Sequence, residues 1–217
     1  SWSTYVLRGA PFAYINFPEP LDIQATALTS RSWSLATTAA AVTMAAATGA
    51  GGVQCPVTAV YERYQPVAES GSHDAVTYDT ASVPADSRVI VLAHPTADGG
   101  TRIVLRLSGV QAHRTFGAHV HTKPCGALPA DAGPHYQNVV DPQQPSTDPA
   151  YANPRNEVWL DLATDAKGRG RAEAVVDWRF RDGAAQSVVV HEHATETHDG
   201  HAGTAGARLA CVTVPFQ

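Results

Sequence analysis

The chain has 217 residues, of which 44% are apolar and 16% charged, which is enough for one globular domain and too apolar for a disordered chain. A net charge of −5 argues against a nucleic-acid backbone binder or a polybasic membrane binder. Ten histidines stand out, because histidine is the commonest metal ligand in proteins.

The first part of the chain carries the elements of an export signal. Residues 1–30 contain proline and aromatic residues without a clear period, so we assign them no fold and interpret them as unstructured or as a mis-called start. Residues 31–55 join a positive flank at Arg31 to an Ala-rich apolar stretch that ends in small residues, which is the order of a secretory signal. The alternatives are a buried Ala-rich helix and a weak membrane span, for which the segment is rather short and rich in Ala and Thr.

Cys55 follows this stretch, where a lipid-anchored protein carries its acylated cysteine; a spare thiol is the alternative. The signal-like segment and Cys55 together lead us to expect an extracytoplasmic protein. It would be either secreted or anchored to the outer side of the membrane.

From about residue 57 the pattern changes to short β-type runs separated by Gly, Pro and Asp. Residues 88–93 and 101–107 flank Asp98-Gly-Gly100, which predicts a β-hairpin. Further runs of this kind cover 157–162, 172–180, 187–190 and 208–214. Several short strands at this spacing predict an antiparallel sandwich or barrel.

Residues 124–155 interrupt this rhythm with seven prolines and little β character, which predicts a long loop. Structureless loops of this length are usually functional or held in place. Cys125 and His135 lie in it, which indicates a tether and a ligand. If Cys125 and Cys211, 86 residues apart, were bonded, the closed loop would contribute roughly 4–5 kcal/mol of stability and would require an oxidising compartment.

The strongest local signal for chemistry is Gly117-Ala-His119-Val-His121. Residues two apart on a strand face the same side, about 7 Å apart along the backbone, so the two imidazoles converge. Two neutral imidazoles on one face of a strand are half of a copper or zinc site. On its own the pair is weak evidence, because a His-x-His also occurs by chance on solvated faces.

Four further motifs follow in a fixed order: Lys123-Pro-Cys-Gly126, Gly133-Pro-His135, Val190-His191-Glu192 and Gly203-Thr-Ala-Gly-Ala-Arg-Leu-Ala-Cys211. Together with the His-x-His pair they resemble the copper/zinc superoxide dismutase family over about residues 56–217. The joint pattern is specific, although each piece is not. The resemblance implies an all-β fold, an eight-stranded antiparallel Greek-key barrel with a long disulfide-tethered loop.

The resemblance also implies roles for individual residues. The four copper ligands would be His119, His121, His135 and His191. His135 would be the imidazole that bridges copper to zinc in the family. Cys125 and Cys211 would form the family's disulfide. Arg208 would sit over the copper and attract the superoxide anion, since an arginine beside an open cupric site is a fixed anion-binding donor.

Two departures from the family pattern point to its copper-only branch. The family's zinc site needs two further histidines after the bridging one, and no histidine follows His135 before the next predicted strand. The loop after His191 is also shorter than the family's charged loop. We therefore expect zinc to be absent and a carboxylate to orient His135. Glu157 is the acid nearest to the family's Asp position, with Asp161 and Asp141 as competitors; the alternative is that Glu157 points to solvent.

These observations predict an exported, copper-dependent superoxide dismutase that converts superoxide to oxygen and hydrogen peroxide. His135 would leave the reduced copper, take up a proton and deliver it to the nascent peroxide. The alternative is a non-catalytic copper-binding or copper-delivery module with the same fold. Arg208 favours the enzyme, because a copper carrier has no need of an anion-steering cation. No nucleic-acid partner is expected, and the oligomeric state is not predicted.

Three more histidines lie between His191 and Arg208: His193, His198 and His201. They fall outside the family's ligand positions. We expect them in a solvated, Gly-rich loop, with weak accessory metal binding as the alternative.

Overall fold

The computed structural model describes residues 57–217, and these residues form an all-β structure, as predicted. The predictions for the signal-like segment and Cys55 lie outside this part of the chain. The strands are β1 (Thr58–Arg63), β2 (Gln65–Pro66), β3 (Ala75–Thr77), β4 (Arg88–Pro95), β5 (Thr101–Ser108), β6 (Thr115–His121), β7 (Leu162–Ala163), β8 (Gly170–Val176), β9 (Ser187–His191) and β10 (Arg208–Thr213). Within residues 57–217, no helix is long and apolar enough to cross a membrane.

Strands β1, β4, β5 and β8 form a four-stranded antiparallel sheet in that order. Strands β4 and β5 pair along their whole length, which confirms the predicted hairpin. Their turn is closed by a hydrogen bond from the Thr96 N–H to the Gly100 carbonyl at 2.9 Å. Gly99 between them has φ +93°, a conformation that favours glycine. On β5 the core-facing side chains include Ile103, Leu105 and Leu107.

The second sheet has the order β2-β3-β10-β9-β6-β7 and carries the three strands that matter for the site. Strand β9 lies between β6 and β10 and is antiparallel to both. The register places His191 of β9 opposite Gly117 of β6 on one side and Arg208 of β10 on the other. The hydrophobic core includes Val91 and Leu105 from the first sheet and Phe116, Val190 and Leu209 from the second.

Three details of the sequence prediction differ from the structure. The run predicted over 172–180 pairs only as β8, which ends at Val176. The run 157–162 is not a continuous strand: only Leu162–Ala163 pairs as β7, and Trp159 makes a single bridge to His119. The polar side chains of this run turn towards the site and bond there instead of continuing the ladder. The closed eight-stranded barrel stays a prediction, because no hydrogen-bonded ladder joins the two sheets within residues 57–217.

The long loop between β6 and β7 contains one 3₁₀ helix, Pro129–Ala132. A disulfide between Cys125 and Cys211 ties the start of this loop to β10, which confirms the predicted pairing. The Ser187 hydroxyl of β9 also donates a hydrogen bond to the Lys123 carbonyl at 2.7 Å. The beginning of the loop is therefore fixed against the second sheet, and its later residues lie beside the end of β6.

Candidate metal centre

Three histidines are held by strands. His119 and His121 lie on β6, and His191 is the last residue of the neighbouring strand β9. The ring centroid of His119 lies 6.5 Å from that of His121 and 4.7 Å from that of His191. All three side chains are buried, and we call them the strand-held histidines.

His135 reaches the same place from the long loop. The loop bridges to β6 where His135 lies opposite His121, and the two ring centroids are 4.8 Å apart. Gly133 enables the approach: its φ is +72°, and a Cβ there would lie 2.6 Å from the Thr122 hydroxyl oxygen. The loop therefore completes a set of four imidazoles whose other three members come from strands.

Hydrogen bonds determine which ring nitrogens of His121 and His191 carry protons. His121 Nδ1 lies 2.9 Å from the Gly133 carbonyl, and His191 Nδ1 lies 3.4 Å from the Gly206 carbonyl. A carbonyl only accepts, so both Nδ1 atoms donate and both Nε2 atoms keep a lone pair. These two Nε2 atoms face each other at 3.3 Å.

His119 is held in the opposite orientation. Its Nε2 lies 2.7 Å from the Thr195 hydroxyl, which itself donates to the Asp161 carboxylate at 2.6 Å. The hydroxyl proton is thereby used, so His119 Nε2 donates and Nδ1 keeps the lone pair. That buried Nδ1 has no hydrogen-bond partner among the described residues. An unpaired buried nitrogen is costly unless a ligand satisfies it.

Glu157 contacts the fourth imidazole. Its carboxylate accepts hydrogen bonds from His135 Nδ1 at 2.9 Å, Trp159 Nε1 at 2.7 Å and Gln137 Nε2 at 2.8 Å. The Glu157 side chain is 1% exposed, so it does not point to solvent. With Nδ1 donating to the carboxylate, His135 Nε2 also keeps a lone pair.

The four free lone pairs suit a transition-metal ion. One ring nitrogen from each of the four histidines lies within 4.8 Å of the others. Burial lowers the pKa of His119 and His121 well below the usual value and that of His191 to about 3, and the neighbouring imidazoles lower these pKa values further. The strand-held histidines are therefore neutral at physiological pH. Neutral imidazoles are ligands for copper and zinc, with copper the tighter binder.

A cavity of about 350 Å³ opens onto this centre. His135, His191, Glu157 and Arg208 are among the residues that line it. Arg208 is half-buried, donates a hydrogen bond to the Pro129 carbonyl at 2.9 Å, and has its pKa lowered by burial. Because arginine stays protonated in proteins, the cavity contains a fixed positive charge beside the histidines.

The structure thus brings together the six residues singled out for the metal chemistry, while the competing acids bond elsewhere. Asp161 reaches His119 only through Thr195, and Asp141 accepts from the Ser146 hydroxyl at 2.7 Å. Thr195 was not found from the sequence, because a loop threonine carries no signal. For Glu157, Trp159 and Asp161 the sequence did carry a signal, because residues two apart in an extended segment share a face.

Comparison with known proteins assigns the family. The sequence model described as copper/zinc superoxide dismutase (SODC) matches residues 88–214, more than half of the chain. The chain belongs to the copper/zinc superoxide dismutase family. Among curated proteins, no relative matches the sequence of this family member.

Solved structures similar to this superoxide dismutase family member include those of two different proteins. The clock protein EA4 is 16% identical, with 74% of this chain and 94% of that chain covered and a TM-score of 0.47. A single mutant of a SOD-like protein from Bacillus subtilis is also 16% identical, with 59% of this chain and 90% of that chain covered and a TM-score of 0.47. A double mutant of a SOD-like protein from the same organism gives 16% identity, 59% and 89% coverage and a TM-score of 0.46.

The three remaining histidines of the loop between β9 and β10 are exposed, as predicted: His193, His198 and His201. None of them belongs to the group of four converging imidazoles.

Proposed function

We propose that this protein is an exported, copper-only superoxide dismutase. The observation that carries the proposal is the convergence of four imidazole lone pairs on one point, beside a cavity with a half-buried arginine. Copper, when bound by the four histidines, supplies a one-electron couple. In the net reaction two superoxide anions and two protons give one O₂ and one H₂O₂.

Arg208 attracts the substrate. Superoxide carries one negative charge, and the net charge of −5 on the chain repels it at long range. The Arg208 guanidinium on the cavity wall provides the local positive potential that overcomes this repulsion. The attraction weakens with salt, because counterions screen exposed charges.

His135 holds and transfers a proton. Its Nδ1–H is anchored on the Glu157 carboxylate, so Nε2 is the nitrogen that takes up a proton on the cavity side. When Nε2 is protonated, the buried carboxylate supplies the counter-charge and keeps the ring in place. The protonated Nε2 then donates one proton to the reduced substrate, and a second proton from solvent water in the cavity completes the hydrogen peroxide that leaves.

The proposed centre binds no zinc, because the Glu157 carboxylate occupies His135 Nδ1, the second ring nitrogen that a bridging histidine would offer to zinc. Besides the four converging imidazoles, the only group of three or more metal-binding side chains in residues 57–217 does not include His135. One imidazole and one carboxylate are too few for a closed tetrahedral site. A carboxylate on the second ring nitrogen is a common way to orient a metal-bound histidine, and here it takes over the orienting role of zinc.

Export belongs to the same proposal. The Cys125–Cys211 disulfide supports it, because such bonds persist in oxidising compartments. The signal-like segment at residues 31–55 would direct export, and the mature protein would be either secreted or anchored to the outer side of the membrane by a lipid on Cys55. Fractionation of cells that produce the full chain, followed by mass analysis of the mature N-terminal peptide, tests both statements.

Elemental analysis beside a superoxide-consumption assay tests the central proposal. We expect one copper per chain, no stoichiometric zinc, and catalytic turnover that is lost in His191→Ala. His113→Asn removes an exposed imidazole outside the site, suits the positive φ of residue 113 and serves as the control. One copper bound without turnover would instead establish a copper-binding or copper-delivery module.

A further inference from the structure

A second group of metal-binding side chains lies outside the copper centre. Glu196, His198 and His201 are in the loop between β9 and β10, and their ligand atoms lie within 4.8 Å of one another. His198 Nε2 is 3.3 Å and His201 Nδ1 is 4.0 Å from the Glu196 Oε2 atom. Two imidazoles thus converge on a single carboxylate oxygen.

These separations are close to those of ligands on one metal ion. Bonds of about 2.0–2.1 Å place two ligand atoms roughly 2.9 Å apart at the right angle of a tetragonal Cu²⁺ site and roughly 3.3 Å apart at a tetrahedral angle. The His198–Glu196 pair is within about half an ångström of the tetragonal spacing, and His201 must approach Glu196 by about one ångström. The two rings are stacked with centroids 4.8 Å apart although both are exposed. Packing in a buried core therefore does not account for the contact between the two rings.

The loop backbone holds the three residues in this arrangement. The Glu196 N–H donates to the Thr204 carbonyl at 2.8 Å, and the Gly203 N–H donates back to the Glu196 carbonyl at 2.9 Å. His201 N–H donates to the His198 carbonyl at 3.1 Å, and the Thr204 hydroxyl donates to the His201 carbonyl at 2.7 Å. Little backbone reorganisation is needed for binding, which lowers its entropic cost.

We propose that Glu196, His198 and His201 form a second, exposed binding site for a Cu²⁺ ion. Two imidazoles and one carboxylate favour a transition metal over Ca²⁺ or Mg²⁺, and copper is the tightest of the divalent first-row ions. Three protein ligands leave a coordination position for water, so the ion is exchangeable. The exposed site binds more weakly than the buried one, where each imidazole is oriented by a second partner.

The site belongs to a loop that also borders the copper centre. Thr195, which immediately precedes Glu196, bonds to the ring of His119. Gly203 and Thr204, which close the other end of the cluster, line the cavity above His135 and His191. The second ion is thus bound on the segment that forms one wall of that cavity.

Calorimetric titration with Cu²⁺ tests the site. The full chain is first saturated with one equivalent of copper, and the binding of a second equivalent is then measured by calorimetry and electron paramagnetic resonance. His198→Ala with His201→Ala removes both imidazoles. The matched control, His94→Ala with His113→Asn, removes two imidazoles elsewhere on the described surface, with asparagine chosen because residue 113 has φ +53°.

We expect the wild type and the control to bind a second Cu²⁺ with nitrogen ligation in its spectrum, and the His198/His201 variant to bind it at least tenfold more weakly. An equal second affinity in all three proteins, or no second ion bound by the wild type, overturns the proposal. If the buried histidines take no copper, the same comparison is made on the metal-free chain. The test of the second site can therefore fail while the dismutase proposal holds, and the reverse is also true. Retention of the first copper, or for the metal-free chain an unchanged far-UV circular dichroism spectrum, shows that the variants are folded.

Discussion

The Glu157 carboxylate is the group whose replacement tests most directly the proposal that the centre works without zinc. It accepts three hydrogen bonds in a buried position, from His135, Trp159 and Gln137. Glu157→Gln keeps the shape of the side chain but leaves one accepting oxygen instead of two. The favoured orientation keeps that oxygen on His135 and Trp159 and turns the new NH₂ group towards the NH₂ group of Gln137.

Two consequences follow, each with a magnitude. Two donors facing each other leave a buried polar group unsatisfied, which costs about 1–3 kcal/mol of the free energy of unfolding. The bond to His135 also loses its charge assistance, and charge-assisted bonds are about twice as strong as neutral ones. A loss of about 1.4 kcal/mol in the step that uses His135 lowers turnover about tenfold.

The assay combines urea denaturation, copper content and superoxide consumption on the same preparations. Glu173→Gln is the matched control, because Glu173 pairs with Arg102 and Arg171 on the outer face of the four-stranded sheet, away from the cavity. We expect slower turnover with copper retained in Glu157→Gln and no change in Glu173→Gln. If Glu157→Gln turned over at the wild-type rate with full copper content, another group would orient His135 and this reasoning would be refuted.

Three further predictions follow from charge, cross-linking and burial. Arg208→Ala should lower catalytic turnover about tenfold or more and weaken its salt dependence, with copper content unchanged. Replacement of the exposed Arg88 by alanine is the control, and full activity in Arg208→Ala would contradict the dismutase mechanism. Cys125→Ser with Cys211→Ser should lower the free energy of unfolding by about 4–5 kcal/mol, since the bond closes a loop of 86 residues. Mass mapping of non-reduced wild-type peptides checks the pairing, and a disulfide to Cys55 would be incompatible with it. Burial lowers the pKa values of the strand-held histidines from the usual 6.5, and that of His191 falls to about 3. Just below pH 6.5, these imidazoles therefore take up protons in the unfolded chain but not in the folded one. The metal-free protein should therefore lose stability as the pH falls, by about 1.4 kcal/mol per unit for each histidine and about 4 kcal/mol by pH 5.5, and equal urea midpoints at pH 7.5 and 5.5 would disprove this.

Local rules accounted for the regular parts of the fold. The hairpin of β4 and β5 was predictable because the Asp98-Gly99-Gly100 turn separates two apolar runs of suitable length. The common direction of His119 and His121 followed from the two-residue period of a strand. Both rules depend only on neighbours in sequence, which is why they held without knowledge of the rest of the fold.

The irregular parts depend on contacts that no local rule contains. The run 157–161 has the composition of a strand, yet its polar side chains bond across the site, so the regular ladder is restricted to Leu162–Ala163. The position of Thr195 beneath His119 depends on how the loop after β9 folds back over β6. The resemblance to a family supplied the candidate ligand set, but it could not supply Thr195, because that residue lies outside the matching motifs.

In the proposed copper centre, the fold separates three fixed ligands from a fourth that is suited to move. The strand-held histidines are at most 4% exposed, and backbone ladders on both sides restrain β9. His135 comes from a loop, its side chain is 19% exposed, and it lies on the wall of the cavity. Its ring is oriented by the Glu157 carboxylate, a contact that can persist while the ring tilts. A proton-carrying ligand needs this combination: a fixed second nitrogen, access to the cavity, and three other ligands that stay in place when it moves.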